Sequence, residues 1–144
     1  MDFKEQLKQK TKEVTEEILS FLPEETGFQK TILEACNYSV INGGKRLRPI
    51  MIESAYLLCS KKADGVMTDA DKRAVLPFMA AMEMIHSSSL VHDDLPCMDN
   101  DTLRRGVPST WAKFGEDMGT LAGDGLMIYA FETASKSEAA PEYK

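Results

Sequence analysis

The chain has little that would tie it to a nucleic acid, a membrane or an oxidising compartment. Its 144 residues carry 17 Lys and Arg against 23 Asp and Glu, and a formal net charge of −6 argues against a nucleic-acid partner. Three cysteines, Cys36, Cys59 and Cys97, show no C-x-x-C spacing, which predicts a reducing compartment without disulfides. The first 19 residues are too charged for a signal peptide, and no apolar run reaches membrane-spanning length. We therefore expect a cytoplasmic protein without stable membrane insertion.

The sequence also lacks a clear strand signal, and its apolar residues recur at helical spacing instead. With 43% hydrophobic residues, it can form one domain with its own core. We predict an all-α protein, a single domain over residues 1–144, with a polar surface connection at Lys61–Asp71. The predicted helices are Phe3–Leu22 before Pro23, Phe28–Ile41 before Gly43, a mostly buried Pro49–Leu58, and Phe78–Asp94 behind Pro77.

The densest group of charged residues lies between positions 93 and 105. Four carboxylates this close repel one another unless a cation or strong hydrogen bonds compensate. Pro96 predicts that the preceding helix ends near Asp94, which places the first two acids at a negative helix C-terminus. Hard oxygen ligands favour Mg²⁺, and two arginines favour a phosphate-bearing ligand, although a solvated acidic turn has the same spacing. The residues concerned are Asp93, Asp94, Asp99, Asp101, Arg104 and Arg105.

A basic stretch, N-G-G-K-R-L-R-P at residues 42–49, precedes the acids. Gly43 and Gly44 allow a sharp turn, and Lys45, Arg46 and Arg48 add three positive charges before the next helix. Such a loop suits a diphosphate, although a loop of this kind standing alone is more often an ordinary solvated turn. Together with the acidic group it favours an anion site.

Three further features bear on this site. His86 lies two helical turns before Asp93 and so shares its face, which favours a role at the same site over that of a core histidine. Ser109 is a predicted N-cap for the next helical segment. The glycines that recur every fourth residue predict close helix packing, with Asp124 beside them as either a buried hydrogen-bonding residue or a site residue; they are Gly115, Gly119 and Gly123.

Three stretches in this order resemble the trans-isoprenyl diphosphate synthases: G-G-K-R-L-R-P, E-M-I-H-S-S-S-L-V-H-D-D-L-P-C-M-D-N-D-T-L-R-R-G, and F-G-E-D-M-G-T-L-A-G-D-G-L. More narrowly, the sequence resembles the bacterial farnesyl and the bacterial or plant geranylgeranyl diphosphate synthases. That resemblance implies an isoprenoid-synthase-type helical bundle, usually a homodimer. It also implies Mg²⁺-dependent head-to-tail condensation of isopentenyl diphosphate with an allylic prenyl diphosphate, giving farnesyl or geranylgeranyl diphosphate.

The resemblance implies roles for single residues. Asp93 and Asp99 resemble the acids that coordinate Mg²⁺, and Asp94 belongs to the same motif. Arg104 matches the residue that grips the allylic diphosphate, and with the three acids it forms the catalytic set. The residues that match the binders of isopentenyl diphosphate are Lys45, Arg48, His86 and Arg105.

Product length is predicted from two small residues before the first acid. In the family, the positions of Ser88 and Ser89 form the floor of the pocket for the growing chain. Small side chains leave this floor open, which favours a twenty-carbon over a fifteen-carbon product.

The family's second aspartate-rich motif is absent from this sequence. We therefore expect the chain to correspond to the N-terminal half of a prenyl synthase domain, with little or no turnover alone and with apolar faces that promote association. A non-catalytic diphosphate-binding subunit is an alternative. An HD-type metal-dependent phosphohydrolase is another, since His86, His92 and Asp93 resemble part of its ligand set, although it needs a further histidine. A terpene cyclase shares the acidic motif but would not explain the G-G-K-R-L-R-P loop.

Overall fold

The computed structural model of the chain describes residues 2–60 and 65–140. Helices dominate these ranges, which confirms the all-α prediction. The elements in chain order are α1 (Phe3–Leu19), α2 (Lys30–Ile41), α3 (Leu47–Cys59), α4 (Asp69–Asp93), β1 (Leu103–Arg104), β2 (Val107–Pro108), α5 (Thr110–Phe114) and α6 (Glu116–Ser135).

The chain divides into two compact units, and each contains several segments of the sequence. Unit 1 comprises Met1–Phe21, Lys45–Glu83 and Phe131–Lys144, and unit 2 comprises Leu22–Gly44 and Met84–Ala130. Both α4 and α6 contribute residues to each unit. The assignment of residues 1–144 to one domain stays a prediction.

The first helix of unit 1 begins with a reciprocal cap. The Asp2 carboxylate accepts the Glu5 N–H at 2.8 Å, and the Glu5 side chain accepts the Asp2 N–H at 3.1 Å. The helix ends at Leu19, three residues before the predicted end at Leu22. The Ser20 hydroxyl donates to the Glu17 carbonyl at 2.7 Å, a local bond that competes with further helical turns.

Helix α3 is less buried than its apolar sequence suggests. Its buried residues are Pro49 and Glu53, while Met51 and Leu58 are 68% and 79% exposed. The prediction of a mostly buried helix was therefore wrong, because burial depends on how many neighbours cover a helix and not on its own sequence. The helix also begins earlier, at Leu47, since Pro49 occupies the first turn, where its missing N–H costs nothing.

Helix α4 contains Pro77, so the predicted start at Phe78 was wrong. A proline inside a helix leaves the carbonyl four residues earlier without its helical donor. Here that carbonyl, on Arg73, accepts the Glu138 N–H at 3.2 Å, while the Ser137 hydroxyl donates to the Ala74 carbonyl at 2.7 Å. The chain that follows α6 thus supplies donors that allow α4 to continue through the proline.

The predicted surface connection at Lys61–Asp71 was wrong at its second end. Residues 61–64 lie outside the described residues. Asp71, however, is buried in the first turn of α4, where its carboxylate accepts the Tyr56 hydroxyl at 2.5 Å and the Thr68 N–H at 2.7 Å. These bonds fix the start of α4 at Asp69.

By length and mean hydropathy, α4 could span a membrane, so the expectation that no apolar run reaches membrane-spanning length was wrong. A mean hydropathy of 1.3 characterises its most apolar window, and 56% of that window is buried inside the protein. Burial of this kind is also typical of a core helix, so these two properties alone do not indicate a membrane span.

Two glycines of α6 lie where neighbouring groups leave no room for a side chain. A Cβ on Gly123 would lie 2.0 Å from Nε2 of His92, and a Cβ on Gly119 would lie 2.8 Å from Cβ of Trp111. The predicted close packing is therefore confirmed at these positions. Gly115 was wrongly included in the row, since it ends α5 with a φ of 100° before α6 begins.

Unit 2 contains a short β-hairpin that was not predicted from the sequence. Leu103 pairs with Pro108 and Arg104 with Val107 in antiparallel register. Arg105 and Gly106, with φ of 55° and 84°, connect the strands through a turn with two positive φ angles, the geometry that matches strand twist in tight hairpins. Strands of two residues are too short to show an alternating pattern, and R-G was the one local signal of the turn.

Candidate active site

The acidic group follows the C-terminus of α4, where the chain folds back on itself. As predicted from Pro96, the helix ends at Asp93. The Asp99 N–H then donates to the Asp93 carbonyl at 2.9 Å, and the Asn100 N–H donates to the Leu95 carbonyl at 3.0 Å. This turn brings Asp93 and Asp99, the two predicted magnesium ligands, next to each other.

Asp94 differs from its neighbours because its carboxylate is buried and paired with an arginine. Asp94 is 2% exposed, and Nε of Arg104 lies 3.0 and 3.1 Å from its two oxygens. Nη2 of Arg104 also donates to Asp94, and it lies 3.9 Å from the Asp101 carboxylate. This pairing was missed in the sequence because the two residues lie ten positions apart and the hairpin brings them together.

The pair also changes the proton affinity of the arginine. The hydrogen bond to Asp94 raises the pKa of the Arg104 guanidinium above its ordinary value; partial burial opposes this, and the charges of Asp94, Asp101 and Asp93 add to it. Arg104 therefore remains a cation at any physiological pH, and it compensates part of the repulsion among the acids.

The carboxylates of Asp93 and Asp99 make no hydrogen bond or salt bridge within the described residues. Mg²⁺ is typically held by one or two carboxylates, together with water and phosphate oxygens, so this pair fits that ion. Across residues 2–60 and 65–140 there is no group of three or more His, Cys, Asp or Glu side chains that could hold a metal. A bound ion would thus need further oxygens from a ligand or from water.

Arg105 contacts the glycines at the beginning of the basic stretch. Its Nη1 donates to the Gly43 carbonyl, and a Cβ on Gly44 would lie 3.1 Å from its Nη2. Gly44 has a φ of 135°, and the absence of a side chain there leaves room for the guanidinium. Arg105 and Gly43 are 62 residues apart in sequence, so the hairpin and the glycine turn meet in unit 2.

One cation of the basic stretch has a structural role, contrary to prediction. Arg46 is buried, and its Nη1 donates to Oε1 of Glu83 at 2.7 Å. Its charge is therefore compensated inside unit 1 and unavailable to an anion. Lys45 and Arg48, by contrast, are exposed in unit 1, as a binding role requires.

The remaining predicted site residues lie along α4 in unit 2. His86 is half-buried, two turns before Asp93. The Ser88 hydroxyl is buried and donates to the Gly123 carbonyl at 2.7 Å, whereas the exposed Ser89 hydroxyl donates to the His86 carbonyl at 2.8 Å. Ser88 thus packs against α6, and Ser89 faces the other way. The functional roles of these residues stay predictions.

His92, the second histidine of the phosphohydrolase hypothesis, packs against α6. Its Nε2 lies 3.2 Å from the Thr120 carbonyl oxygen and 3.5 Å from Oδ1 of Asp124, over the surface of Gly123. Asp124 is exposed, which excludes the buried role considered for it. These contacts give His92 a packing role and bring no further imidazole to Asp93.

Comparison with known proteins agrees with the resemblance seen in the sequence. A family model described as polyprenyl synthetase matches residues 29–143. Geranylgeranyl pyrophosphate synthase 11, chloroplastic, of Arabidopsis thaliana is 49% identical over 102 residues, covering 71% of this chain and 26% of that protein. Heterodimeric geranylgeranyl pyrophosphate synthase large subunit 1, chloroplastic, of the same plant is 48% identical over 101 residues, covering 70% and 25%.

Solved structures show the same fold. An FPP/GFPP synthase from Zymomonas mobilis matches with a TM-score of 0.79 and 35% identity, covering 96% of this chain and 48% of that one. A geranyltranstransferase from Thermotoga maritima matches with a TM-score of 0.73 and 38% identity, covering 91% and 45%. The chain spans about a quarter of the length of these curated relatives and about half of these structures. Since the family model extends over most of its residues, the chain belongs to the polyprenyl synthetase family.

Proposed function

We propose that the chain provides the first diphosphate-binding site of a short-chain isoprenyl diphosphate synthase. The reaction is Mg²⁺-dependent head-to-tail condensation of isopentenyl diphosphate with an allylic prenyl diphosphate, giving farnesyl or geranylgeranyl diphosphate. One observation carries the proposal: a backbone hydrogen bond joins Asp99 to Asp93, their carboxylates make no hydrogen bond or salt bridge in the described residues, and the neighbouring Asp94 is already paired with Arg104. Such an arrangement provides a place for a cation and, next to it, a guanidinium for its anionic ligand.

Each charged residue has a distinct role in this proposal. Asp93 and Asp99 would hold Mg²⁺, which when bound would supply positive charge to the diphosphate leaving group. Asp94 is a positioning residue, because its contacts with Nε and Nη2 fix the plane of the Arg104 guanidinium. Nη1 of Arg104, which has no partner in the described part of the chain, then remains to donate to a diphosphate oxygen. The resemblance alone assigns isopentenyl diphosphate binding to Lys45, Arg48, His86 and Arg105.

The chemistry needs charge stabilisation and no covalent nucleophile. The allylic C–O bond breaks and its electrons leave with the diphosphate, the isopentenyl double bond forms the new C–C bond, and a proton is lost. The Arg104 guanidinium, fixed in advance by the buried Asp94 carboxylate, stabilises the charge that develops on the leaving oxygens. Exclusion of water by the apolar residues of a complete bundle would protect the allylic cation.

Calorimetry with magnesium pyrophosphate tests the binding site in this chain directly. We expect Mg²⁺-dependent binding that Asp93→Asn or Asp99→Asn weakens at least tenfold, since either change removes one of two metal ligands. Glu16→Gln is the matched control, because it removes one exposed acid of unit 1 and should leave the affinity unchanged. Pyrophosphate binding that is indifferent to magnesium, or to both asparagine variants, would contradict the proposal.

A non-catalytic diphosphate-binding subunit is the second candidate, favoured by the partial coverage of the relatives. We expect little or no product from this chain with dimethylallyl and isopentenyl diphosphates. Binding without product would support either a subunit or a part of a larger enzyme. Robust product, detected by chromatography, would contradict the expectation that this chain alone forms little or none. A homodimer is a part of the proposal that rests on the resemblance alone, and a cytoplasmic location is a part that rests on the cysteine spacing and the charged first 19 residues.

A further inference from the structure

A small cavity with polar groups in its wall lies in unit 2 beside the Asp94–Arg104 pair. Its volume is about 20 Å³, and its walls include Asn42, Ser87 and Ser109 as well as the two paired residues. A site for one water molecule needs roughly 10–15 Å³ on this measure. The cavity therefore has room for one molecule of that size.

Three buried polar atoms on the cavity wall have no hydrogen-bond partner in residues 2–60 and 65–140: Nδ2 of Asn42, Oγ of Ser87 and Oγ of Ser109. Ser87 and Ser109 are only 2% and 1% exposed. Unpaired buried polar atoms are rare in native proteins, so three of them around one cavity indicate a shared ligand.

The donor set identifies the class of that ligand. The amide of Asn42 donates, whereas each serine hydroxyl either donates or accepts. The Asn42 amide donor opposes a cation. Asp94 and Arg104 in the wall are paired and carry opposite charges, and Arg105, which also lines the cavity, donates to the Gly43 carbonyl. The small volume excludes a polyatomic anion such as phosphate. A neutral ligand that both donates and accepts, within the volume of one heavy atom, is a water molecule.

We propose that an ordered water molecule occupies this cavity and that Asn42, Ser87 and Ser109, which bind it, are positioning residues for Arg104. The three belong to different parts of unit 2, since Asn42 ends α2, Ser87 lies in α4 and Ser109 precedes α5. The Ser109 N–H donates to the Thr102 carbonyl at 2.9 Å, which closes the base of the hairpin that carries Arg104. The water thus connects this base to α2 and α4.

Nuclear magnetic resonance of the labelled chain tests the water directly. We expect cross-relaxation between water and the side-chain amide protons of Asn42. Ser87→Val fills the cavity with methyl groups and should abolish the signal. Ser87→Ala leaves room and two other ligands, so the signal should persist. Ser54→Ala is the control, because that exposed hydroxyl bonds only to the Ile50 carbonyl in unit 1, and the signal should be unchanged.

Two results would overturn the water site. One is the absence of this signal in the wild-type chain. The other is its loss in Ser87→Ala, which would assign the signal to the exchanging serine hydroxyl.

The positioning role has its own readout. We expect the Arg104 Nε–H proton, which is protected by Asp94, to exchange about tenfold faster with solvent in Ser87→Val, with a thermal midpoint within a few degrees of wild type. Unchanged exchange in a variant that has lost the water would contradict the positioning role.

The effect that this positioning role should have on diphosphate affinity rests on the function proposed above. We expect Ser87→Val to weaken magnesium pyrophosphate binding about tenfold, and unchanged affinity after loss of the water would contradict that consequence. A wild-type chain that shows the water signal but binds no magnesium pyrophosphate would contradict the proposed function and support the water site.

Discussion

A buried carboxylate paired with a half-buried arginine distinguishes Asp94 from the acids around it. Hydrogen bonds to a charged partner contribute about 1.5–3 kcal/mol each when one partner is removed from a buried site. Asp94→Asn should therefore lower the free energy of unfolding by about 2 kcal/mol, as measured by urea denaturation. Asp101→Asn changes an exposed acid at 3.9 Å from the same arginine and should cost less than about 0.5 kcal/mol. Equal changes in the free energy of unfolding in the two variants would contradict the distinction between the buried, paired Asp94 and the exposed Asp101.

A buried thiol gives the stability a measurable dependence on pH. Burial raises the pKa of Cys36 to about 11 from an ordinary 9.0, with a smaller opposing backbone hydrogen bond. Between these values the unfolded chain has lost a proton that the folded chain keeps, so the free energy of unfolding should decrease as pH rises from 9 to 11. Thermal midpoints measured over this range should fall less steeply in Cys36→Ala than in wild type. Cys59→Ala, at an exposed thiol, is the control and should keep the wild-type slope.

At the scale of elements, the contact between α4 and α6 within unit 2 depends on the lack of a side chain at Gly123. Because a Cβ there would lie 2.0 Å from Nε2 of His92, Gly123→Ala should lower the free energy of unfolding by about 1–3 kcal/mol. Gly125→Ala is the matched control, since its Cβ would lie at an ordinary 3.5 Å from Sγ of Cys36 and alanine favours a helix by up to about 1 kcal/mol. Chemical denaturation measures both.

A second control tests whether overlap with His92 causes the loss of stability in Gly123→Ala. His92→Ala combined with Gly123→Ala should recover part of the stability, because the smaller residue removes the overlap. If the double variant recovers no stability, His92 is not the residue that limits how closely α4 and α6 approach each other at Gly123.

The elements that the sequence predicted were those determined by local residues. Pro96 ends α4 where expected, and Gly43 follows α2 as expected, because proline and glycine restrict or free the backbone at their own positions. Pro77 misled the prediction because the compensating donor, Glu138, lies 61 residues further along the chain. Local patterns do not encode such a partner.

The candidate site was predicted in its residue types and missed in its pairings. The acids and arginines were identified from charge and spacing. Yet burial of Arg46 depends on Glu83, and neutralisation of Asp94 depends on a hairpin that orients Arg104. Both pairings follow from tertiary structure, which decides which charges remain for a ligand.

At the scale of the whole molecule, two exposed apolar residues of α6 should promote association. Leu121 and Ile128 lie two helical turns apart on one face, on either side of the exposed Asp124, and are 46% and 71% exposed. Large apolar side chains exposed on one face are expected where another chain or segment covers that face. We expect concentration-dependent association in sedimentation velocity experiments, and Ile128→Lys should shift the chain towards monomer by placing a charge in that face. Phe3→Lys changes an equally exposed residue at the start of α1 and should leave the association unchanged. A monomeric wild-type chain at high concentration, or equal effects of the two lysines, would contradict a role for this face.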